Sequence, residues 1–203
     1  VNLLYEYRDI FAHSAKHITE CNVMECELLL EDNAKPVRSR PYRLSDNMRK
    51  VVDEQLDELL EAGVIAESDG SQFASPIIIV KKRDCSDRFC FDMQRLNSVS
   101  KPLYHELLLL EDIIDVITQN KAGKLFLIDL RSAYHQIKVS DKSSYQTTYV
   151  TPHRNAYRYL RLPQGHRQSP YYMCRVLNKL FRNEIGNFLI IYLDDLLACS
   201  ENS

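Results

Sequence analysis

Three aspartates carry the chemistry this sequence offers. The stretch Phe188-Leu189-Ile190-Ile191-Tyr192-Leu193-Asp194-Asp195-Leu196-Leu197-Ala198-Cys199 sets two adjacent carboxylates between two apolar runs. That is the pattern of a β-hairpin with buried arms and an exposed turn. The run Lys124-Leu125-Phe126-Leu127-Ile128-Asp129-Leu130 is nearly continuous in apolar residues, with one carboxylate at its end. It predicts a central strand buried on both faces. Asp-Asp is also ordinary turn chemistry, so the third acid decides. Three carboxylates brought together repel one another unless divalent cations neutralise them. Hard oxygen ligands suit magnesium, which takes one or two carboxylates along with substrate phosphates and water. Two such ions stabilise both oxygens of an in-line phosphoryl displacement. The constellation therefore points to nucleotidyl transfer.

The elements that must position these acids are legible in outline. Residues 3 to 13 predict a short helix, and Met24 to Leu30 a strand. Lys35 to Leu44, with Pro36 and Pro41, reads as an extended connector. Ser45 caps a helix whose apolar residues Met48, Val52, Leu56, Leu59 and Leu60 recur at helical spacing until Gly63 ends it. Ile77 to Val80 and Phe89 to Phe91 predict a hairpin turning at Asp84-Cys85-Ser86-Asp87. Leu107 to Asn120 reads as a helix with Leu110, Ile113, Ile114 and Ile117 on one face. Tyr145 to Val150 and Tyr157 to Leu160 predict two further strands. Ser169 caps a helix with Pro170 at its first position; it runs to Ile185, where Gly186 stops it before the acidic hairpin.

At 203 residues and 45% hydrophobic content the chain can bury a core, as one domain or two closely packed subdomains. No apolar run approaches the roughly 20 residues that span a bilayer, and the start lacks a secretory signal pattern. The expectation is a soluble, cytoplasmic chain with no membrane partner. The six cysteines read as reduced thiols, because the Cys21–Cys26 and Cys85–Cys90 spacings do not suit zinc. A net charge of −2 speaks weakly against nucleic acid. The distribution speaks for it: Lys35, Arg38, Arg40, Arg43, Arg49 and Lys50 form one basic group, Lys81, Lys82, Arg83 and Arg88 a second, and Arg154, Arg158, Arg161 and Arg167 a third. The acids of residues 53 to 67 load the helix between them, so basic surfaces and an acidic back, or ordinary solvated charge, both remain open.

Several blocks in order resemble the fingers and palm of a reverse transcriptase of the gypsy-like long-terminal-repeat retrotransposon type, within a retroviral-type pol polyprotein. They are Tyr192-Leu193-Asp194-Asp195, Phe126-Leu127-Ile128-Asp129-Leu130-Arg131-Ser132-Ala133-Tyr134-His135-Gln136-Ile137, Lys35-Pro36-Val37-Arg38, Arg40-Pro41-Tyr42-Arg43-Leu44, Ser75-Pro76 with Val80-Lys81-Lys82, and Leu162-Pro163-Gln164-Gly165 followed by Ser169-Pro170. The resemblance implies an α+β fold: a polymerase palm, with a ferredoxin-like antiparallel sheet and packed helices, plus a fingers subdomain, the thumb being absent. Residues 1–34 would be a lead-in linker from an upstream polyprotein region and 35–203 the fingers and palm. It implies RNA-directed DNA polymerase activity, with deoxynucleotides (dNTPs) added to a primer 3′ end. Asp129, Asp194 and Asp195 would be the catalytic residues and would hold two Mg2+ ions, with Mn2+ a possible substitute.

The same resemblance places Lys82, Arg88, Tyr134, Gln164 and Gly165 around the incoming nucleotide and Tyr192 at the primer–template. Tyr134 would lie under the sugar and exclude a 2′-hydroxyl. Without the resemblance, Lys82 and Arg88 read equally as a solvent-facing hairpin, Tyr134 as a core tyrosine, and Gln164-Gly165 as a plain loop-to-helix turn. The implied partners are an RNA or DNA template with its primer, dNTPs, and the thumb and ribonuclease H parts of the polyprotein, within a virus-like particle. The sequence departs from the family pattern at Cys85, Met93 and Gln94. Cys85 stands where glycine is usual, and a positive φ there costs about 1–2 kcal/mol. These departures sustain the alternative of a catalytically silent retroelement remnant that folds and at most binds nucleic acid.

Overall fold

The computed structural model describes residues 2–12, 18–81, 87–105, 109–119 and 122–201. In chain order these form α1 (Asn2–Glu6), β1 (Cys21–Cys26), α2 (Asp46–Glu61), β2 (Ile65–Glu67), β3 (Ser75–Lys81), β4 (Asp87–Phe91), α3 (Gln94–Ser98) and α4 (Leu110–Gln119). There follow β5 (Ala122–Asp129), β6 (Ile137–Val139), α5 (Asp141–Gln146), β7 (Tyr149–Val150), β8 (Ala156–Tyr159), α6 (Ser169–Leu180), β9 (Leu189–Tyr192) and β10 (Asp195–Glu201). Arg8–Ile10 and Ala133–Gln136 are 3-10 turns. The mixed α+β class expected from the sequence is the one observed. No helix among the described residues is long and apolar enough to cross a membrane.

Two cores divide the work. The first lies under a five-stranded sheet of order β2-β8-β7-β3-β4. Helix α2 covers it with Val52 and Leu56. That helix begins where Ser45 accepts a hydrogen bond from the Met48 amide. It ends in a Schellman arrangement, Val64 N–H to Leu59 C=O and Gly63 N–H to Leu60 C=O, with Gly63 at φ 62°. An aromatic cluster of Phe89, Phe91, Tyr149, Tyr157 and Tyr159 fills the space between helix and sheet.

The second core sits between α6 and an antiparallel three-stranded sheet of order β5-β10-β9. Met173, Val176 and Leu177 of α6 pack with Leu189 and Leu196 of the hairpin. Strand β1 pairs in parallel with β6, and Cys26 and Leu28 enter this core. Fully buried Gln168 binds that segment down: its amide donates to Leu29 O at 2.8 Å and Lys101 O at 2.6 Å and accepts from Leu29 N at 2.9 Å.

Several expectations change. Strand β5 is not buried on both faces: Leu125, Phe126, Leu127 and Ile128 are 49, 54, 69 and 45% exposed. It is an edge strand, paired with β10 alone among the described residues. An apolar run reports a strand's own character, not whether a layer covers it. The segment 141–146 is a helix capped by Ser140, so the expected strand from Tyr145 shrinks to Tyr149–Val150, and β7 and β8 join the five-stranded sheet. Helix α6 ends at Leu180 rather than Ile185. Ser169 does not cap it but donates to Pro163 O at 2.6 Å. The third basic group is largely neutralised, because Arg154 meets Asp53 and Asp57, Arg158 meets Asp141, and Arg161 meets Glu20. Cys21, Cys26, Cys90, Cys174 and Cys199 are free thiols; Cys85 lies outside the described residues.

Two stability predictions follow from the buried polar groups. The Tyr149 hydroxyl is buried with no hydrogen-bond partner among the described residues, so Tyr149→Phe should raise the unfolding free energy by up to about 1 kcal/mol in urea denaturation. A loss of stability would contradict this placement. His166 accepts the Gln168 amide at Nδ1 and meets Ser100 Oγ at Nε2. Burial, then the Arg167 charge, pushes its pKa from 6.5 to about 4. Between these values the unfolded chain carries a proton that the fold refuses, so stability is full above about pH 6.5 and falls as the pH drops toward 4. His166→Asn should flatten that slope by about one proton, measured as denaturation midpoint against pH.

Candidate active site

The acidic end of the three-stranded sheet is set by strand register. In the β5–β10 ladder Asp129 stands directly opposite Asp195, and across β10 the partner of Asp195 is Tyr192. Residues directly opposite in an antiparallel pair lie about 4.5–5.5 Å apart at Cα, with side chains on the same face. The two exposed carboxylates therefore face each other.

Leu193 and Asp194 form a two-residue turn between β9 and β10. Leu193 has φ 59°, a position that glycine usually fills in such hairpins. Holding a branched aliphatic residue there stores about 1–2 kcal/mol of backbone strain. Helix α6 supports the turn from below, where the Cys174 thiol lies 4.0 Å from Leu193 O.

Asp194 acts on the buried side of the turn. Burial first, then the Asp194 charge, pushes the Tyr134 phenol up to about 12 and the Cys174 thiol up to about 11. The structure thus brings Asp129 to Asp195 and places Asp194 beside Tyr134. Among the described residues no three His, Cys, Asp or Glu side chains already form a group that could hold a metal ion. Tyr192 is 44% exposed at the end of β9.

A cleft of about 310 Å3 collects most of the predicted nucleotide-binding residues: Arg88, Gln164 and Gly165 line it, with His135, Phe91 and Tyr159. The Arg88 guanidinium donates to Gln164 Oε1, joining β4 to the loop before α6. Gly165 has φ 89° and open space where a Cβ would stand, so its backbone conformation, not crowding, favours glycine. Burial, then the Arg88 charge, lowers the His135 pKa to about 4, which leaves a neutral imidazole in the wall. Lys82 lies outside the described residues.

The sequence reading gave no role to His135, Gln55 or Asn97. Gln55 brackets Arg88 by bonding to Asp87 O and Phe89 N. Asn97 bonds to Gly165 O and Arg167 N. Their only signal was place: His135 directly follows Tyr134, and Asn97 closes the Asp92–Asn97 block. A larger groove of about 580 Å3, between Arg38 and Thr148, has no carboxylate in its lining.

The model of the family "Reverse transcriptase (RNA-dependent DNA polymerase)" matches residues 80–203. The retrovirus-related Pol polyprotein from transposon opus of Drosophila melanogaster is 30% identical over 99% of this chain and 20% of its own length. That from transposon 297 of the same fly is 27% identical over 98% of this chain and 19% of its own length. The chain thus spans about a fifth of the curated relatives it matches. Among solved structures, prototype foamy virus protease–reverse transcriptase superimposes with a TM-score of 0.84 at 20% identity, over 99% of this chain and 26% of that one. The foamy viral enzyme in complex with an RNA/DNA hybrid gives 0.82 at 20% identity, over the same shares. These likenesses show the fold, a polymerase palm with fingers. With more than half of its length matched by the family model, the acid-bearing hairpin included, the chain belongs to the reverse transcriptase family.

Proposed function

We propose that this chain is the fingers-and-palm part of a retrotransposon RNA-directed DNA polymerase, which adds deoxynucleotides to a primer 3′ end. The observation that carries the reading is the register that sets Asp129 opposite Asp195, with Asp194 in the adjoining turn. Two facing carboxylates with no cation between them are unfavourable, and their hard oxygens suit magnesium or manganese. Asp129, Asp194 and Asp195 would hold the metal. When bound, it neutralises phosphate charge and acidifies the primer hydroxyl.

The chain's own groups do the rest. Arg88 offers a forked, permanently charged donor set to phosphate oxygens, and Lys82 would add a point charge. Gln164 and the Gly165 backbone border the same cleft. Tyr134 stays protonated and uncharged at neutral pH, and its ring would exclude a 2′-hydroxyl. Tyr192, exposed at the end of β9, would contact the primer–template. A foamy viral relative was solved with double-stranded DNA and another with an RNA/DNA hybrid, which supports a primed template as the partner. In the intact element the thumb and ribonuclease H parts of the polyprotein would complete the enzyme.

Primer extension on a primed RNA template tests the reading. Extension should require magnesium or manganese, stop on chelation, and fall by about 10²–10³-fold or more in Asp129→Asn. The same substitution removes a like-charge pair and should leave the thermal midpoint unchanged or slightly raised. Normal extension by the folded variant, or extension without a divalent ion, would overturn the assignment. A folded, inactive wild type in its full natural length would favour the silent-remnant reading.

A further inference from the structure

The cleft is held by two side-chain amides, Gln55 within its lining and Asn97 beyond it. Strand β4 ends the five-stranded sheet, so among the described residues its outer edge has no neighbouring strand to satisfy it. Gln55 of α2 takes that place: Nε2 donates to Asp87 O at 3.1 Å and Oε1 accepts from Phe89 N at 3.1 Å. These are the residues on either side of Arg88. On the opposite wall Asn97 of α3 does the same for the Gln164–Gln168 loop. Its Nδ2 donates to Gly165 O at 2.9 Å and its Oδ1 accepts from Arg167 N at 2.8 Å. Arg167 returns the contact by donating to Asn97 O and Ser100 O. Each amide presents a donor and an acceptor in one plane and so imitates the peptide group of an adjacent strand. Between the two clamps the Arg88–Gln164 hydrogen bond spans the cleft.

We infer that Gln55 and Asn97 are positioning residues for the nucleotide pocket, which fix the Arg88 and Gln164 walls at the spacing a nucleoside triphosphate requires. This rests on the proposed polymerase reading. Neither amide is buried, and both hydrogen bonds of each go to backbone groups that flank or follow the residue it orients, so its effect passes through Arg88 or Gln164. A guanidinium and a triphosphate pair strongly only at hydrogen-bond range, and a displacement near 1 Å can cost about 10²-fold. Binding is therefore more sensitive to these clamps than folding is.

The test uses the polymerase in its full natural length. Single-nucleotide incorporation gives KM and kcat, and titration of a deoxynucleoside triphosphate onto the enzyme with primed template in calcium gives affinity without turnover. Gln55→Leu and Asn97→Ala should each raise the KM and Kd for the triphosphate by about tenfold, the worth of one to two neutral hydrogen bonds, and change kcat less. In an Arg88→Ala background Gln55→Leu should add less than about twofold, because the guanidinium through which it acts is gone. Ser45→Ala, which removes the α2 cap, should lower the thermal midpoint and leave KM alone. If Arg88→Ala raises KM but Gln55→Leu does not, if the two effects simply add, or if Ser45→Ala raises KM equally, the clamp is overturned and the pocket stands. If Arg88→Ala leaves KM unchanged, the pocket reading falls and the clamp with it.

Discussion

Two like charges facing each other across a β-ladder form the constraint around which the palm is arranged. The Asp129–Asp195 pair is unfavourable by about 0.2–1 kcal/mol in a surface ladder, and the strained Leu193 turn adds about 1–2 kcal/mol. Burial of Leu189, Ile190 and Leu196 in the same hairpin returns about 1.5–3 kcal/mol per side chain, so the apolar arms comfortably win. The acids are tolerated because they stand exposed to solvent at the end of their strands. Asp194 lies on the helix side of the turn, where its field is felt by Tyr134 and Cys174.

The Arg88–Gln164 cleft depends on a second division, between the two cores. Arg88 belongs to a strand packed on the aromatic cluster under α2, whereas Gln164 precedes the helix that carries the other core. The cleft is the seam where the two meet, floored by His135 and Tyr159. A neutral imidazole there leaves Arg88 as the positive group of that wall among the described residues. Its bond to Gln164 keeps the guanidinium ordered over the cleft rather than folded back on an acid.

Where local chemistry decides structure, the sequence was readable. Ser45 and Gly63 bound α2 as capping rules require, and the Asp194-Asp195 hairpin formed between its two apolar arms. Where tertiary partners decide, it was not. The Leu125–Ile128 run looks like a buried strand because hydrophobic content cannot report whether another layer lies over it. Asp141–Gln146 is polar and short, and its helix rests on the Ser140 cap and the burial of Ser143 and Ser144. The basic character of Arg154, Arg158 and Arg161 vanished because their acids come from positions 20 to 57 and from Asp141. Of the site, the three acids, Arg88 and Gln164 were legible from their blocks. Gln55 was not, since one glutamine on an acid-rich helix has no pattern to betray it.

Strand β1 gives the chain's early residues a weight beyond their composition. Cys21–Cys26 pairs with Ile137–Val139, Leu28 lies in the core, and Gln168 grips Leu29. This part of the fold therefore closes only after the chain has been synthesised well past residue 139, with its first strand waiting unpaired until then. A cut within residues 21–30 would strip a strand from the palm core, whereas one before Cys21 would leave it whole. Packing alone thus sets how far into the early residues a cut can fall before the core loses a strand.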